Sequence, residues 1–244
     1  MRSVEAVVLC GGAGSRMGEL TREKQKCLLS VEEKPILGHI LDTIQAAFGS
    51  ARVVLATGYL GEQIKTQFGE QYRNINLEYA HSPISLETRK RLLLAKNSLK
   101  GSFLLLHGDM IVDPKHLVRI AESFDSIKGT GATGVMSGAS DHKPALTHGL
   151  ITVENGKAKS LISPPTKEWE SNQLRDMQTS FYDIEFLESL EKFQTKVYVS
   201  HAISEMIRLG TDFMVERYSE KWFHFAEPKD LEAKIVFSGN TPKT

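Results

Sequence analysis

In the first half of the chain, short unbroken apolar runs alternate with apolar residues spaced three and four apart. Val4 to Cys10 and Arg52 to Thr57 are runs of strand length, the pattern of strands buried on both faces in a parallel sheet. Between them Pro35 opens a helix in which Ile36, Leu37, Ile40, Leu41, Ile44 and Phe48 share one face. Leu60 to Phe68 reads as a short amphipathic helix and Ile75 to Tyr79 as a third strand, ended by His81-Ser82-Pro83. Leu86 to Leu99 reads as a helix burying Leu92, Leu93, Ala95 and Leu99. Its Arg89, Lys90, Arg91 and Lys96 are most simply a solvated face, and phosphate contact is the sharper alternative. Phe103 to His107 is another buried strand, so the first half has a βαβα rhythm.

Beyond Gly129 the segments become shorter and more polar, which suggests antiparallel additions. Gly149 to Val153 and Lys157 to Ile162, joined by Glu154-Asn155-Gly156, form a hairpin with an Asn-Gly turn. Ser163-Pro164-Pro165 opens a polar loop reaching to about Arg175. Ile184 to Leu190 and His201 to Leu209 read as helices, Phe213 to Tyr218 and Trp222 to Phe225 as strands, and Pro228 opens a closing helix burying Leu231 and Ile235. Residues 1–238 are expected to form one domain, with 239–244 a frayed tail.

Chemistry concentrates in Val8 to Val31, where the first strand runs into Gly11, Gly12 and Gly14. Glycines there let backbone N–H groups approach phosphate oxygens, and Arg16 and Lys26 add positive charge. A P-loop is excluded, because no Gly-Lys pair is followed by Ser or Thr. A dinucleotide fingerprint fails as well, since Met17 stands where its third glycine belongs. Asp109, just past the Phe103 to His107 strand, is placed to share Mg²⁺ with a triphosphate. Asp113 precedes Pro114 and a helical pattern, which makes it an N-cap.

Thirty cationic residues balance thirty acidic ones, so no net field holds nucleic acid or an anionic membrane. The absence of a membrane-length apolar run or a signal peptide suggests a soluble, cytoplasmic protein. Cys10 and Cys27 are too few for a disulfide scaffold and read as buried fillers. The eight histidines lack metal-site spacing, and no G-x-S-x-G elbow marks a nucleophilic serine.

Four ordered motifs resemble the nucleotidylyltransferases that activate sugar 1-phosphates, such as glucose-1-phosphate thymidylyltransferases. The family loop L-x-G-G-x-G-[ST]-R-x followed by Pro-Lys looks like Leu9 to Met17 followed by Gln25-Lys26. V-G-Y-x-x-E-x-I looks like Thr57 to Ile64, and Gly108-Asp109 and Trp222 to Leu231 complete the series. The resemblance implies a GT-A-like α/β fold, a Rossmann-like three-layer sandwich with a mixed, mostly parallel central sheet. It implies Mg²⁺-dependent transfer of a nucleotidyl group from an NTP to a phosphorylated small molecule, with release of pyrophosphate. By similarity Arg16 would hold the departing pyrophosphate, Lys26 would bridge the α-phosphate and the incoming phosphate, and Asp109 would bind Mg²⁺. Leu9, Gly11, Gly12, Gly14, Ser15, Ser82, Glu87, Thr88 and Gly108 would line the nucleotide, and Gly149 the acceptor.

Several positions depart from the family. Its Glu-Lys-Pro after the central hairpin is Ser163-Pro164-Pro165 here, so the family lysine is missing; Lys167 in the following loop is a substitute or, more simply, a solvated surface lysine. Its W-x-D-x-G-x-P places a metal-binding aspartate where this chain has His224, so His224 is either outside the metal shell or a mark of different substrate chemistry. Its Gly-Thr is Glu87-Thr88, and a common glutamine is Ser82. An intact triphosphate end and an altered acceptor end lead to the expectation of an enzyme with an atypical acceptor, an unusual sugar phosphate or a non-sugar phosphate or phosphonate. The alternative is a catalytically silent regulatory relative that binds nucleotide or sugar nucleotide. The base and the acceptor are left open, as is a homo-oligomer.

Overall fold

The apolar run Val4–Cys10 forms β1, at the centre of a ten-stranded sheet in the computed structural model. The structure describes residues 4–82, 86–140, 149–163, 171–193 and 198–237. In chain order the sheet holds β1, β2 (Ala51–Thr57), β3 (Gln71–Tyr72), β4 (Ile75–His81), β5 (Phe103–His107), β6 (Gly134–Ala139), β7 (Leu150–Glu154), β8 (Lys157–Ile162), β9 (Gln173–Tyr182) and β10 (Phe213–Tyr218). Their spatial order is β7-β8-β10-β6-β9-β5-β1-β2-β4-β3, and β7 also pairs with β9. The strands β5, β1, β2 and β4 run parallel, as do β6 and β10. Antiparallel β9 joins the two groups. This is the mixed α/β architecture expected of the chain.

Helices cover the sheet: α1 (Ile36–Phe48), α2 (Gly61–Phe68), α3 (Thr88–Leu94), α4 (Pro114–Ser126), α5 (Glu185–Glu191) and α6 (Val199–Arg208). One apolar cluster packs α1 and α4 onto one face, and a second packs α3, α5 and α6 onto the other. Because β1 has β5 on one side and β2 on the other, its carboxyl end lies where the crossovers diverge. Open α/β sheets leave a ligand crevice there. Gly108 N donates to Leu9 O at 3.0 Å, holding the end of β5 against the end of β1.

Asp113 caps α4 as expected, its Oδ1 accepting from Lys115 N at 2.8 Å, and the β7–β8 hairpin turns on Asn155 and Gly156, both at positive φ. Other expectations need correction. The helix expected over Leu86 to Leu99 is α3 alone plus a 3₁₀ turn at Lys96–Ser98, and Arg89 and Arg91 are each only 4% exposed rather than on a solvated face. The polar loop expected to reach Arg175 ends earlier, because β9 begins at Gln173. Trp222 to Phe225 contributes only Phe223–His224, paired with Met110–Ile111. The closing helix is a single 3₁₀ turn, Pro228–Glu232, with Leu231 and Ile235 half-buried against the core. Pro164, Pro165, Lys167 and the tail 239–244 lie outside the described residues.

The packing around β6 leaves no spare volume. A Cβ at Gly134 would lie 2.6 Å from Phe181 O and against the ring of Tyr182, which is stacked on Phe186 at 4.0 Å. Gly134→Ala is therefore expected to destabilise the protein by about 2 kcal/mol through overpacking. An unchanged midpoint in urea denaturation would show that this contact relaxes freely.

Candidate active site

After β1 the chain turns through Gly14, whose φ is +66°, into a 3₁₀ segment Ser15–Thr21 anchored by buried Met17. Thr21 Oγ1 donates to Gly14 O at 3.0 Å, and Met17 N donates to the same oxygen at 2.8 Å. The clamp on this loop is Gln25, which is buried. Its Nε2 donates to Cys10 O at 2.6 Å and Gly12 O at 3.4 Å, and its Oε1 accepts from Cys27 N. Sequence reading missed Gln25, which stands where the resembled family has proline. Its signal was the substitution itself, because a side chain replacing a ring can tie the loop by hydrogen bonds. Cys10 and Cys27 are free and buried, and burial pushes the Cys27 thiol well above its ordinary range.

Two cavities open on this crevice. The first, of about 240 Å³, is lined by Leu9, Gly12, Gly14, Ser15, Lys26 and Gly108, all expected at a nucleotide. The second, of about 430 Å³, is lined by Ser163, Asp176, Gln178, Ser180, His201 and His224, among others. Arg16, Thr88, His107 and Asp109 line both, so these four mark the junction. Arg16 is exposed there. Gly11, which is buried, lines neither cavity, and the same holds for Ser82, Glu87 and Gly149. Ser82 is buried at the end of β4, Glu87 precedes α3 and pairs with Lys90, and Gly149 O accepts from Asp176 N at 2.8 Å.

At the junction Lys26 Nζ donates to Asp109 Oδ2 at 2.6 Å. The same oxygen faces His224 Nε2 at 3.7 Å, because the Phe223–His224 pairing and the bond from Phe225 N to Asp109 O fix that segment alongside. Burial works to raise the Asp109 pKa, but His224 and the charge of Lys26 outweigh it and hold the carboxyl well below its usual range. Burial depresses the pKa of neighbouring His107, the attraction of Asp109 notwithstanding.

Among the described residues, Asp109 is the one carboxylate that lines both cavities. No group of three or more His, Cys, Asp or Glu side chains able to hold a metal occurs among the described residues. Such a donor set suits an ion that takes most of its oxygens from substrate phosphates and water, as Mg²⁺ does, and does not suit an all-protein cage. His224 adds only an imidazole nitrogen, a poor Mg²⁺ donor, with its Nε2 3.7 Å from Asp109 Oδ2.

One wall of the second cavity carries an irregularity that the sequence did not disclose. In β9, Asp176 pairs with Gly138 and Ser180 with Met136, so three residues face one across a bulge in which Gln178 has φ +50°. Bulges are common beside functional sites, and Asp176, Gln178 and Ser180, which share one face across this one, line the cavity. Arg91 was also missed as a lining residue of the first cavity. It follows Thr88 by one helical turn, and that spacing was the available signal.

A family model for nucleotidyl transferases matches residues 5–221. A CMP-5'-(3-aminopropyl)phosphonate synthase from Streptomyces rubellomurinus is 28% identical over 96% of this chain and 39% of its own length. The bifunctional protein GlmU of Methanococcus maripaludis is 34% identical over 93% of this chain and 53% of its own length. The chain thus spans between about two fifths and about half the length of these two relatives. Among solved structures, a putative glucose-1-phosphate thymidylyltransferase from Bacillus anthracis superposes with a TM-score of 0.80 at 17% identity, covering 94% of this chain and 93% of that one. At that identity the likeness is one of fold. No helix among the described residues is long and apolar enough to cross a membrane.

Proposed function

Because the chain belongs to the nucleotidyl transferase family, matched over residues 5–221, we propose that its two adjoining cavities take an NTP and a phosphorylated acceptor, which it joins. The observation that carries this reading is the Lys26–Asp109 pair, 2.6 Å apart at the junction of the two cavities. An oxygen of the acceptor's phosphate or phosphonate attacks the α-phosphorus and forms a new P–O bond. The bond from that phosphorus to the oxygen bridging to the β-phosphate breaks, and pyrophosphate leaves with the electron pair.

Such transfers ask mainly for in-line positioning and neutralisation of charge. Lys26, held at the junction, neutralises the α-phosphate and the incoming oxygen. Arg16, exposed on the flank of both cavities, meets the departing pyrophosphate. The glycine loop, stiffened by Gln25, supplies backbone donors without needing to rearrange as charge develops. Asp109 would hold Mg²⁺ together with phosphate oxygens, and the ion when bound would neutralise the triphosphate. The acceptor we infer is a phosphonate or sugar phosphate, supported by a phosphonate-named relative and by a probable glucose-1-phosphate cytidylyltransferase from Bacillus subtilis, 30% identical over 64% of this chain.

The test is pyrophosphate release by purified protein with Mg²⁺, each of four NTPs, and a panel of sugar 1-phosphates and alkyl or aminoalkyl phosphonates. Release that requires one class of acceptor is expected. NTP binding without release for any acceptor would instead establish the silent, regulatory relative.

A further inference from the structure

Arg91 is an uncommon object in this crevice. It is 4% exposed, and its guanidinium lies across Gly11 and beside Gly58. A Cβ on Gly11 would fall 2.5 Å from Arg91 Cζ, and one on Gly58 would fall 3.2 Å from Arg91 Nη2. Only a glycine at residue 11 leaves room for it. The guanidinium donates from Nη2 to Leu86 O at 2.7 Å, whereas Nε is buried with no hydrogen-bond partner. No carboxylate pairs with Arg91 among the described residues, and burial lowers its pKa from the ordinary arginine value. An unpaired donor on a buried cation is costly unless something that enters the cavity completes it.

What enters can be argued from position. Gly14, Ser15, Arg16 and Lys26 are the phosphate-facing groups of the first cavity. Arg91 lines the same cavity with Leu9, Cys10 and Gly12 and, unlike Thr88, does not reach the second. With the triphosphate on Arg16 and Lys26, the nucleoside is left the wall that Arg91 lines. Arginine is a planar fork of donors that pairs with two adjacent acceptors. Cytosine presents such a pair in O2 and N3, and guanine in O6 and N7. Uracil and thymine interpose an N–H between their two oxygens, and adenine sets a donor beside its N7. Both cytosine acceptors are two bonds from the ring nitrogen that carries the sugar, whereas the guanine oxygen is four bonds away. A guanidinium pressed against the loop that holds the sugar and phosphates reaches the nearer pair.

We propose that Arg91 is the base-reading residue of this site and that the nucleotide it selects is a cytidine triphosphate. This rests on the nucleotidyl-transfer reading above and adds to it the choice of substrate. Thr88, one turn earlier on α3, faces the same cavity, and Gly11 is required so that the guanidinium can lie across the loop.

The experiment is titration calorimetry of CTP, UTP, GTP and ATP with Mg²⁺ and no acceptor, on the wild type, Arg91→Met and Arg91→Lys. The wild type is expected to favour CTP over UTP by about 10- to 100-fold, the discrimination typical of one bidentate contact. Arg91→Met should lose that factor for CTP while its UTP and ATP affinities change by less than about 3-fold, because only the base contact discriminates. Arg91→Lys keeps the charge but not the fork, and it should lose most of the same preference. Circular dichroism melts establish that each variant is folded, and if Arg91→Met is not, Arg91→Lys decides. Equal losses for all four nucleotides would overturn the proposal in favour of a phosphate-binding or structural role. Wild-type preference for GTP, or no preference, would overturn it as well, while leaving nucleotidyl transfer standing. A wild type that binds no nucleotide would remove the reading on which both rest.

Discussion

Lys26→Ala is expected to lower kcat for pyrophosphate release by about 10²- to 10³-fold, the usual consequence of removing one preorganised charge-stabilising group. The size follows from where the ammonium is held. Lys26 begins a 3₁₀ turn whose neighbours Cys27 and Leu28 are buried, and Gln25 ties that turn to the glycine loop. Truncation at residue 26 therefore removes the charge and leaves its mounting in place. The side chain is only 11% exposed and its ammonium lies 2.6 Å from Asp109 Oδ2, so water cannot take over its role at little cost. Lys26→Arg should not restore the rate, because the fork directs its donors differently from a single ammonium. If Lys26 and Asp109 work as one unit, Lys26→Ala combined with Asp109→Asn should cost little more than either change alone. A loss of kcat below tenfold in the single variant, with the fold intact, would show that Lys26 only balances the charge of Asp109.

What the sequence disclosed divides along a physical line. Val4 to Cys10 is apolar at nearly every position because β1 is buried on both faces, so its place in the sheet was legible. The loop after it was legible too, since Gly14 needs a positive φ and Arg16, Lys26 and Asp109 carry charges with few structural uses. β9 was not legible. Its bulge interrupts the ladder partway along, and its polar residues Asp176, Thr179 and Ser180 are buried, so it resembles a loop in composition. Arg91 was misread for a related reason. A cation on a helix is assigned to solvent unless a tertiary neighbour claims it, and here that neighbour is Gly11, eighty residues earlier in the chain. Phe223–His224 is too short for any periodicity, and only its pairing with Met110–Ile111 brings His224 to Asp109.

Asp176→Asn is expected to shift stability relative to the wild type by about 2 to 3 kcal/mol between pH 4 and pH 7.5, in favour of the variant at the higher pH. The side chain is 5% exposed in the wall of the second cavity, where its Oδ1 accepts from Gln178 N at 2.9 Å. Burial outweighs that bond and raises the carboxyl from an ordinary 3.8 to about 6. Between those two values the folded protein holds a proton that the unfolded chain has released, so wild-type stability falls as pH rises through this window. Above about pH 6 the carboxylate is ionised in both states, and the full cost is present. An asparagine does not titrate. Whatever its amide gains or loses by packing is constant with pH, and the pH-dependent part of the difference belongs to residue 176 alone. Other groups move the wild-type curve the opposite way. Neutral, buried His116, with a pKa near 3, must charge as acid unfolds the protein, but that contribution is common to both proteins and cancels. Urea denaturation of each protein at pH 4, 6 and 7.5 reads the difference directly. A gap between the two that stays constant over this range would mean that Asp176 is ionised throughout, with its charge already met inside the cavity.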